Sequence, residues 1–126
     1  MNASASAPQT ITLPELAAGE IYAGILLVDG KPAHHLVMLA GAAKGLTWDK
    51  AVAWAKKQGG ELPARKEQAL LFATAAEAFE EDWYWSCDQH AGDESYAWYQ
   101  DFGYGYQYYS YKYYELRARA VRRVVI

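Results

Sequence analysis

Tyrosine is concentrated in one stretch of this chain, and that concentration limits what the chain can fold into. Nine of the eleven tyrosines in the 126-residue sequence lie between Tyr96 and Tyr114. Each buried phenol needs a hydrogen-bond partner, so a domain of this size cannot place all nine rings in its core. Tyrosine also offers a large contact area with few rotatable bonds, which favours it in binding loops. We therefore predict a binding surface here; the alternative is a segment that uses aromatics only as good strand formers.

The spacing of these tyrosines predicts two short segments, or arms, joined by a turn or bulge. Tyr104, Tyr106 and Tyr108 occupy alternate positions, and Tyr109, Tyr111 and Tyr113 alternate on the opposite parity. A change of phase between Tyr108 and Tyr109 predicts a turn or bulge there, since otherwise the two sets would lie on opposite faces.

The two arms lead to a predicted set of surface residues. We expect the exposed tyrosines to be Tyr104, Tyr106, Tyr109 and Tyr111. We expect Tyr96, Tyr99 and Tyr114 to pack against the rest of the domain. The residues predicted to contact a partner are Tyr104, Tyr106, Tyr108, Tyr109, Tyr111, Tyr113, Asp101 and Gln107.

The first half of the chain predicts a hairpin and two helices. Ile21–Val28 and His35–Leu39 are apolar and flank a Gly-containing loop, which indicates a β-hairpin. Gly41–Gly45 is predicted to be a loop. A helix begins after Thr47 as N-cap and ends at Gly59 and Gly60.

The second helix is predicted from about Pro63 to Phe79. Glu67 lies where the reciprocal residue of a capping box would stand, but Ala64 occupies the N-cap position. The loss of that cap is expected to cost the helix end about 1 kcal/mol.

The rest of the chain reads as antiparallel strands. The predicted strands are Trp83–Cys87, Tyr96–Phe102 and Leu116–Ile126, with a polar loop at Gln89–Ser95. In the middle strand, Ala97, Tyr99 and Asp101 face one way and Trp98, Gln100 and Phe102 face the other. The element order predicts an α+β fold, with two helices packed on antiparallel sheets or hairpins. We expect a flexible leader at residues 1–10 and a single domain at residues 11–126.

The net charge of the chain and the length of its longest apolar stretch limit the kinds of partner that it can bind. The net charge of −3 argues against nucleic acid as a partner. Ile21–Val28 is too short to span a bilayer as a helix, and residues 1–8 do not read as a signal peptide, which predicts no membrane insertion. We expect the protein to be cytoplasmic or virion-associated. Self-association into a homo-oligomer is left open.

The sequence offers no set of residues that predicts catalysis or metal binding. Cys87 is the only cysteine, and Cys87 with His90 supplies too few ligands for zinc and no third group to orient a nucleophile. We therefore predict no metal, no cofactor and no enzymatic activity, and we expect Cys87 to be a small buried hydrophobe.

Two charged stretches have alternative interpretations. Arg117, Arg119, Arg122 and Arg123 make the C-terminal end basic. They could bind phosphate or an acidic partner. Alternatively, Arg117 and Arg119 pair with internal carboxylates such as Glu61, Glu67 or Glu115. An acidic stretch precedes the strands at Glu77–Asp82.

Several motifs form an ordered set. They are Glu61–Glu67 (ELPARKE), Trp83–Ser86 (WYWS), Ala97–Trp98, Phe102–Gly103, and Lys112 followed by Arg117–Arg122 (RARAVR). In this order they resemble the Lcl C-terminal-domain-like family, which is common in phages and bacteria. The resemblance covers roughly residues 47–124. The family usually has a hydroxyl residue where Ala64 stands.

The resemblance implies a C-type-lectin-like fold. Relatives of the family include the variable proteins of diversity-generating retroelements, whose hypervariable C-terminal surface binds targets, and residues 104–114 occupy the corresponding place. The related sulfatase-modifying enzymes carry paired catalytic cysteines, whereas this chain has only Cys87. The calcium-binding motifs of true C-type lectins, Glu-Pro-Asn and Trp-Asn-Asp, are missing, so calcium-dependent sugar binding is not implied.

Together these observations predict a phage or prophage protein that binds a macromolecule, either a protein or a glycan, through a tyrosine-rich hairpin. One alternative is a phage-encoded inhibitor of a host defence complex, in which the acidic stretch mimics the charge of nucleic acid. The other is a self-associating structural component that buries its tyrosines between copies.

Overall fold

Two β-sheets and two α-helices make up residues 10–126, the part of the chain that the computed structural model describes. The predicted α+β class is therefore confirmed. The leader predicted for residues 1–10 lies outside the described residues, apart from Thr10.

The first sheet joins the beginning of the described chain to its end. Its strands are β1 (Ile21–Val28), β2 (Lys31–Met38) and β8 (Val121–Val125), in the order β1-β2-β8 and all antiparallel. The predicted hairpin is confirmed, with a tighter turn than expected. Asp29 (φ 51°) and Gly30 (φ 77°) are both left-handed, as a two-residue hairpin turn of type I′ requires.

The second sheet has five strands in the order β3-β7-β4-β5-β6. Their bounds are β3 Ala43–Leu46, β4 Trp83–Gln89, β5 Tyr96–Asp101, β6 Gln107–Tyr111 and β7 Leu116–Ala118. Neighbouring strands are antiparallel except β4 and β7.

Two predictions for these strands are wrong. The expected loop at Gly41–Gly45 contains the start of β3, which pairs with β7. The expected single strand Leu116–Ile126 is divided into β7 and β8, because Arg119 and Ala120 carry the chain from one sheet to the other.

Both predicted helices are present. Helix α1 covers Trp48–Lys57, and α2 covers Arg65–Ala75, shorter than expected because a 3-10 turn follows at Ala76–Ala78. Neither helix of residues 10–126 is long and apolar enough to cross a membrane.

The N-terminus of α2 is capped without a hydroxyl at Ala64. The Glu67 carboxylate accepts the N–H of Ala64 at 2.7 Å, which is one half of the capping box. The Asp88 carboxylate on β4 accepts the N–H of Arg65 at 2.9 Å. A residue distant in sequence therefore replaces the missing cap.

The core lies on both faces of the five-stranded sheet. Ala51 and Ala55 of α1 belong to the cluster that contains Trp85 and Tyr99. Leu71 of α2 instead belongs to a second cluster. That cluster contains Tyr84, which neighbours Trp85 on β4, and Phe102, which lies just after β5 and an odd number of positions from Tyr99. Because successive strand residues point to opposite faces, α1 and α2 cover opposite sides of the sheet. The predicted alternation of Tyr96–Phe102 is confirmed, and β6 is left at the outer edge.

Candidate binding surface

The tyrosine segment forms the edge strand β6 and the turns at its two ends. β6 pairs with β5 without a register shift, from Tyr96 opposite Tyr111 to Gln100 opposite Gln107. The predicted turn or bulge between Tyr108 and Tyr109 is therefore wrong. Both residues belong to one continuous strand. An edge strand leaves both faces partly open, so a change of parity in exposed tyrosines does not require a break in the strand.

Six tyrosines of the segment are exposed. They are Tyr104, Tyr106, Tyr108, Tyr111, Tyr113 and Tyr114. Tyr104, at the tip of the turn before β6, is 89% exposed. Tyr99 is buried as predicted, whereas Tyr114 was expected to pack and is exposed. We call these six residues, together with the half-buried Tyr96 and Tyr109, the tyrosine surface.

Tyr109 is half-buried, so its expected place in the exposed set is wrong. Its ring packs edge-on against His90 with centroids 4.4 Å apart and against Trp98 at 5.2 Å. These two neighbours come from β5 and from the loop after β4, which the spacing of tyrosines along β6 does not reveal.

The rings of the tyrosine surface support one another. Tyr111 stacks on Tyr96 with centroids 4.4 Å apart and on Tyr113 at 5.2 Å. Tyr108 stacks on Tyr109 at 4.5 Å. A ring held in place by its neighbours loses little conformational entropy on binding, so this arrangement is preorganised for contact with a partner.

Two phenols of this surface, those of Tyr96 and Tyr109, have raised pKa values. The neighbouring Tyr111 hydroxyl is the main cause that raises the pKa of Tyr96 to about 12. The Tyr108 hydroxyl likewise raises the pKa of Tyr109 above its usual value. At neutral pH these groups therefore offer uncharged hydroxyl donors and acceptors beside apolar rings.

Asp101 lies beneath the tyrosine surface and does not form part of its exposed area. One carboxylate oxygen accepts the N–H groups of Gly103 and Tyr104 at 2.7 and 2.8 Å, and the other accepts the indole N–H of Trp83 at 3.0 Å. Burial raises the pKa of Asp101, but these hydrogen bonds outweigh it and leave the pKa lowered. Asp101 is ionised and shapes the turn that projects Tyr104, and it is only 7% exposed.

Gly105 completes that turn. Its φ of 86° is left-handed, and a Cβ at this position would lie 2.5 Å from the ring of Phe72 on α2. The turn is therefore pressed against α2, which limits its freedom to move.

A cleft of about 770 Å³ adjoins the tyrosine surface at Trp98 and Gln107. The Arg65 guanidinium lies 3.5 Å above the centroid of the Trp98 ring. The amide of Gln107 donates to the Arg65 carbonyl at 2.7 Å and accepts from Arg65 Nε at 3.1 Å. The predicted residue Gln107 therefore ties β6 to the start of α2 and forms one wall of the cleft.

Sequence reasoning did not assign Arg65, His90 and Trp98 to the candidate site. The alternation of β5 placed Trp98 on the same face as Gln100 and Phe102. It did not show that Trp98 stays half-buried beneath Arg65 at the start of α2, while the other two are buried. The extent of a helix over a sheet is set by tertiary packing.

The four C-terminal arginines have partners within the protein. Arg117 pairs with Asp82 at 2.9 Å. Arg119 donates to two backbone carbonyls, those of Ala78 and Leu39. Arg117 and Arg119 were expected to pair with Glu61, Glu67 or Glu115. That prediction is wrong, because neither arginine binds any of these three carboxylates.

The other two arginines also bind carboxylates. Arg122 pairs with Glu20 at 2.9 Å, and Arg123 binds Glu67 at 2.6 Å as well as Glu61. Internal pairing leaves this cluster few donors for phosphate. It also neutralises Asp82, one residue of the acidic stretch.

Cys87 differs from the expected buried hydrophobe because its side chain is exposed. Partial desolvation and the adjacent Asp88 carboxylate raise the pKa of its thiol to about 11, so the thiol is protonated at neutral pH. Within residues 10–126 no group of three or more His, Cys, Asp or Glu side chains is placed to hold a metal ion.

Comparisons with known proteins find no match to this chain among family models, curated proteins or solved structures. The functional interpretation therefore depends on the residues and their geometry.

Proposed function

We propose that this protein binds another macromolecule, a protein or a glycan, through the tyrosine surface, and that it does so without catalysis. The observation that carries the proposal is the exposure of six tyrosines on one edge strand and its flanking turns. Exposed aromatic residues that cluster and are held in place are typical of surfaces with binding hot spots.

The chemistry of the surface favours a protein or glycan over nucleic acid. Its phenols offer hydrogen-bonding hydroxyls, and their rings suit stacking on apolar or sugar faces. The four C-terminal arginines, which could have contacted phosphates, have internal partners. The net charge of −3 also opposes attraction to nucleic acid.

The finer fold assignment is part of the same proposal. Two helices with two mostly antiparallel sheets, and a hairpin near the start of the described chain joined to the last strand, are compatible with the C-type-lectin-like fold that the family resemblance implies. We propose that fold, with the tyrosine surface in the position of the variable surface of related proteins. Phage or prophage origin and a cytoplasmic or virion location stay predictions from the sequence.

A triple variant tests the function. Tyr104→Ser, Tyr111→Ser and Tyr113→Ser together remove three exposed rings that do not belong to either core cluster. We expect the variant to lose binding to whatever protein or glycan the wild type captures from host lysate and glycan arrays. Its unfolding temperature should stay close to that of the wild type.

The matched control removes as many exposed apolar side chains elsewhere. Leu13→Ser, Leu27→Ser and Val125→Ser lie outside the five-stranded sheet, and all three positions are exposed. This control should retain binding. Retention of binding by the tyrosine variant, or equal loss in both variants, would contradict the proposed surface.

The same capture experiment separates the alternative of a host-defence inhibitor. Glu80 and Glu81 are exposed and available for nucleic-acid mimicry. Recovery of a nucleic-acid-handling complex that is lost with Glu80→Lys and Glu81→Lys, but kept with the tyrosine variant, would favour the inhibitor.

A further inference from the structure

Within residues 10–126, the outer edge of β6 presents main-chain groups that β5 does not use, and one of them, the Tyr111 carbonyl, accepts the N–H of Tyr114 at 3.0 Å. Next to the strand, Asp101 N–H donates to the Tyr106 carbonyl at 2.8 Å, and Lys112 N–H donates to the Ser95 carbonyl at 3.0 Å. Hydrogen-bonded pairs alternate along an antiparallel ladder. The main-chain groups that point outward, away from β5, are therefore those of Gln107, Tyr109 and Tyr111.

Among the four sheet edges of residues 10–126, those of β1, β3 and β8 are protected and that of β6 is not. β1 has two register shifts against β2, and β3 has only four residues, including Lys44, with a shift against β7. β8 carries Arg122 and Arg123. Short length, irregular pairing and charge are the usual means by which edges avoid pairing with another chain. β6 has five residues in unbroken register, with no charge and no proline.

The sequence of β6 is also complementary to itself. In an antiparallel pair centred on Tyr109, Gln107 of one copy lies opposite Tyr111 of the other, and Tyr109 lies opposite its own equivalent. On the other face Tyr108 lies opposite Ser110, so a large side chain meets a small one. Since the strand is uncharged, no like charges meet.

We propose that β6 pairs with β6 of a second copy of this chain, antiparallel about a two-fold axis at Tyr109. The pairing joins two five-stranded sheets into one ten-stranded sheet through about six main-chain hydrogen bonds. The outward amide and carbonyl groups of Tyr109 bond across the axis to their equivalents. The Gln107 carbonyl accepts the N–H of the second copy's Tyr111, and the Gln107 N–H donates to the carbonyl of that residue, which also accepts the N–H of its own Tyr114.

This inference does not rest on the proposed function, although it bears on it. Tyr104 and Tyr113 lie outside the paired strand, so they stay exposed in the dimer. The two-fold axis places two tyrosine surfaces side by side. A partner with repeated binding sites would then be bound bivalently, with higher avidity than a single surface provides.

Amide hydrogen exchange tests the pairing at the level of single residues. In the monomer, Tyr108 and Ser110 donate to β5 and are protected, while Gln107, Tyr109 and Tyr111 are open. We expect the last three amides to gain protection between low-micromolar and near-millimolar protein, as sedimentation shows the mass doubling. A monomer at near-millimolar concentration, or a dimer in which these three amides stay open, would overturn the proposal.

Lysine variants test the axis. Tyr109→Lys places two ammonium groups opposite each other and should weaken dimerisation about tenfold or more. Tyr113→Lys makes the same substitution outside the strand and should leave the dimer unchanged. Equal weakening by both would mean that tyrosine rings, and not strand pairing, hold the copies together.

A proline variant covers the case in which Tyr109→Lys does not fold. Tyr111→Pro removes an outward N–H that β5 does not use, and an edge strand tolerates proline at such a position. It should give a folded monomer; a folded variant that still dimerises as tightly as the wild type would overturn the proposal.

Discussion

Glu67 should be the side chain whose charge matters most to stability. It is 2% exposed, and its two oxygens accept hydrogen bonds from four N–H groups. The donors are Arg123 Nε at 2.6 Å, Arg123 Nη2 at 2.7 Å, Ala64 N at 2.7 Å and His34 Nε2 at 2.9 Å. Because a carboxylate only accepts, His34 must carry its proton on Nε2. These contacts join α2, β2 and β8 at one point.

The substitution Glu67→Gln keeps the size of the side chain but removes its charge. The new amide nitrogen cannot accept, so the donors that face it lose their partner and Arg123 loses its buried counter-ion. Breaking a buried ion pair costs about 3–5 kcal/mol. Since one oxygen remains as an acceptor, we expect about 3 kcal/mol of lost stability, or a fall in Tm of about 10 °C for a chain of this length.

Urea unfolding of Glu67→Gln and of Glu61→Gln provides the measurement and its control. Glu61 binds the same arginine, but its side chain is 61% exposed. An exposed ion pair contributes about 0–1 kcal/mol, so Glu61→Gln should lose no more than about 1 kcal/mol of stability. Equal losses in the two variants would refute the argument that burial determines the contribution of this carboxylate.

The same pair of proteins gives a pH test. Burial raises the pKa of Glu67, but the hydrogen bonds from Arg123, Ala64 and His34 outweigh it and leave the pKa below its ordinary value of 4.5. A lowered pKa in the folded state stabilises the protein above the unfolded value, and this stabilisation is lost as the pH falls through the folded value. The stability difference between wild type and Glu67→Gln should therefore shrink below about pH 4.5. A difference that stays constant down to pH 3 would contradict this assignment.

Three further substitutions test local geometry by urea unfolding. Gly60→Ala should cost about 2–3 kcal/mol, because its Cβ would clash with the Val121 carbonyl oxygen. Gly59→Ala meets open space and should cost only the strain of its left-handed φ, about 1–2 kcal/mol. A larger loss for Gly59→Ala would reverse the expected order. Asp88→Ala should cost about 1 kcal/mol, because the N–H of Arg65 loses its cap, and an unchanged stability would show that water replaces the carboxylate.

Local signals in the sequence were sufficient where neighbours along the chain decide the conformation. The Asp29–Gly30 pair between apolar runs predicts the β1–β2 hairpin because both residues tolerate left-handed φ. Thr47 and the glycines at 59 and 60 bracket α1 closely. The number of tyrosines alone required that several lie at the surface, and six do.

Contacts between residues distant in the sequence determined the environments of Asp101 and Glu67, which local patterns did not predict. Asp101 was expected at the surface, but the Trp83 indole and the following turn surround it. Glu67 was expected to act at a helix end, yet its main partner is Arg123, 56 positions away. Charge and residue type do not specify which of several carboxylates an arginine will reach.

The sequence by itself determined that this chain folds as an α+β protein with more tyrosine than its core can hold. Composition and periodicity are local properties, so they can be read directly. Only the tertiary structure decided which rings are exposed, because exposure depends on sheet order. The order β3-β7-β4-β5-β6 places β6 at the edge, with Tyr109 against Trp98 and Tyr104 projecting outward. That placement turns a tyrosine-rich sequence into a defined surface with an open strand beside it.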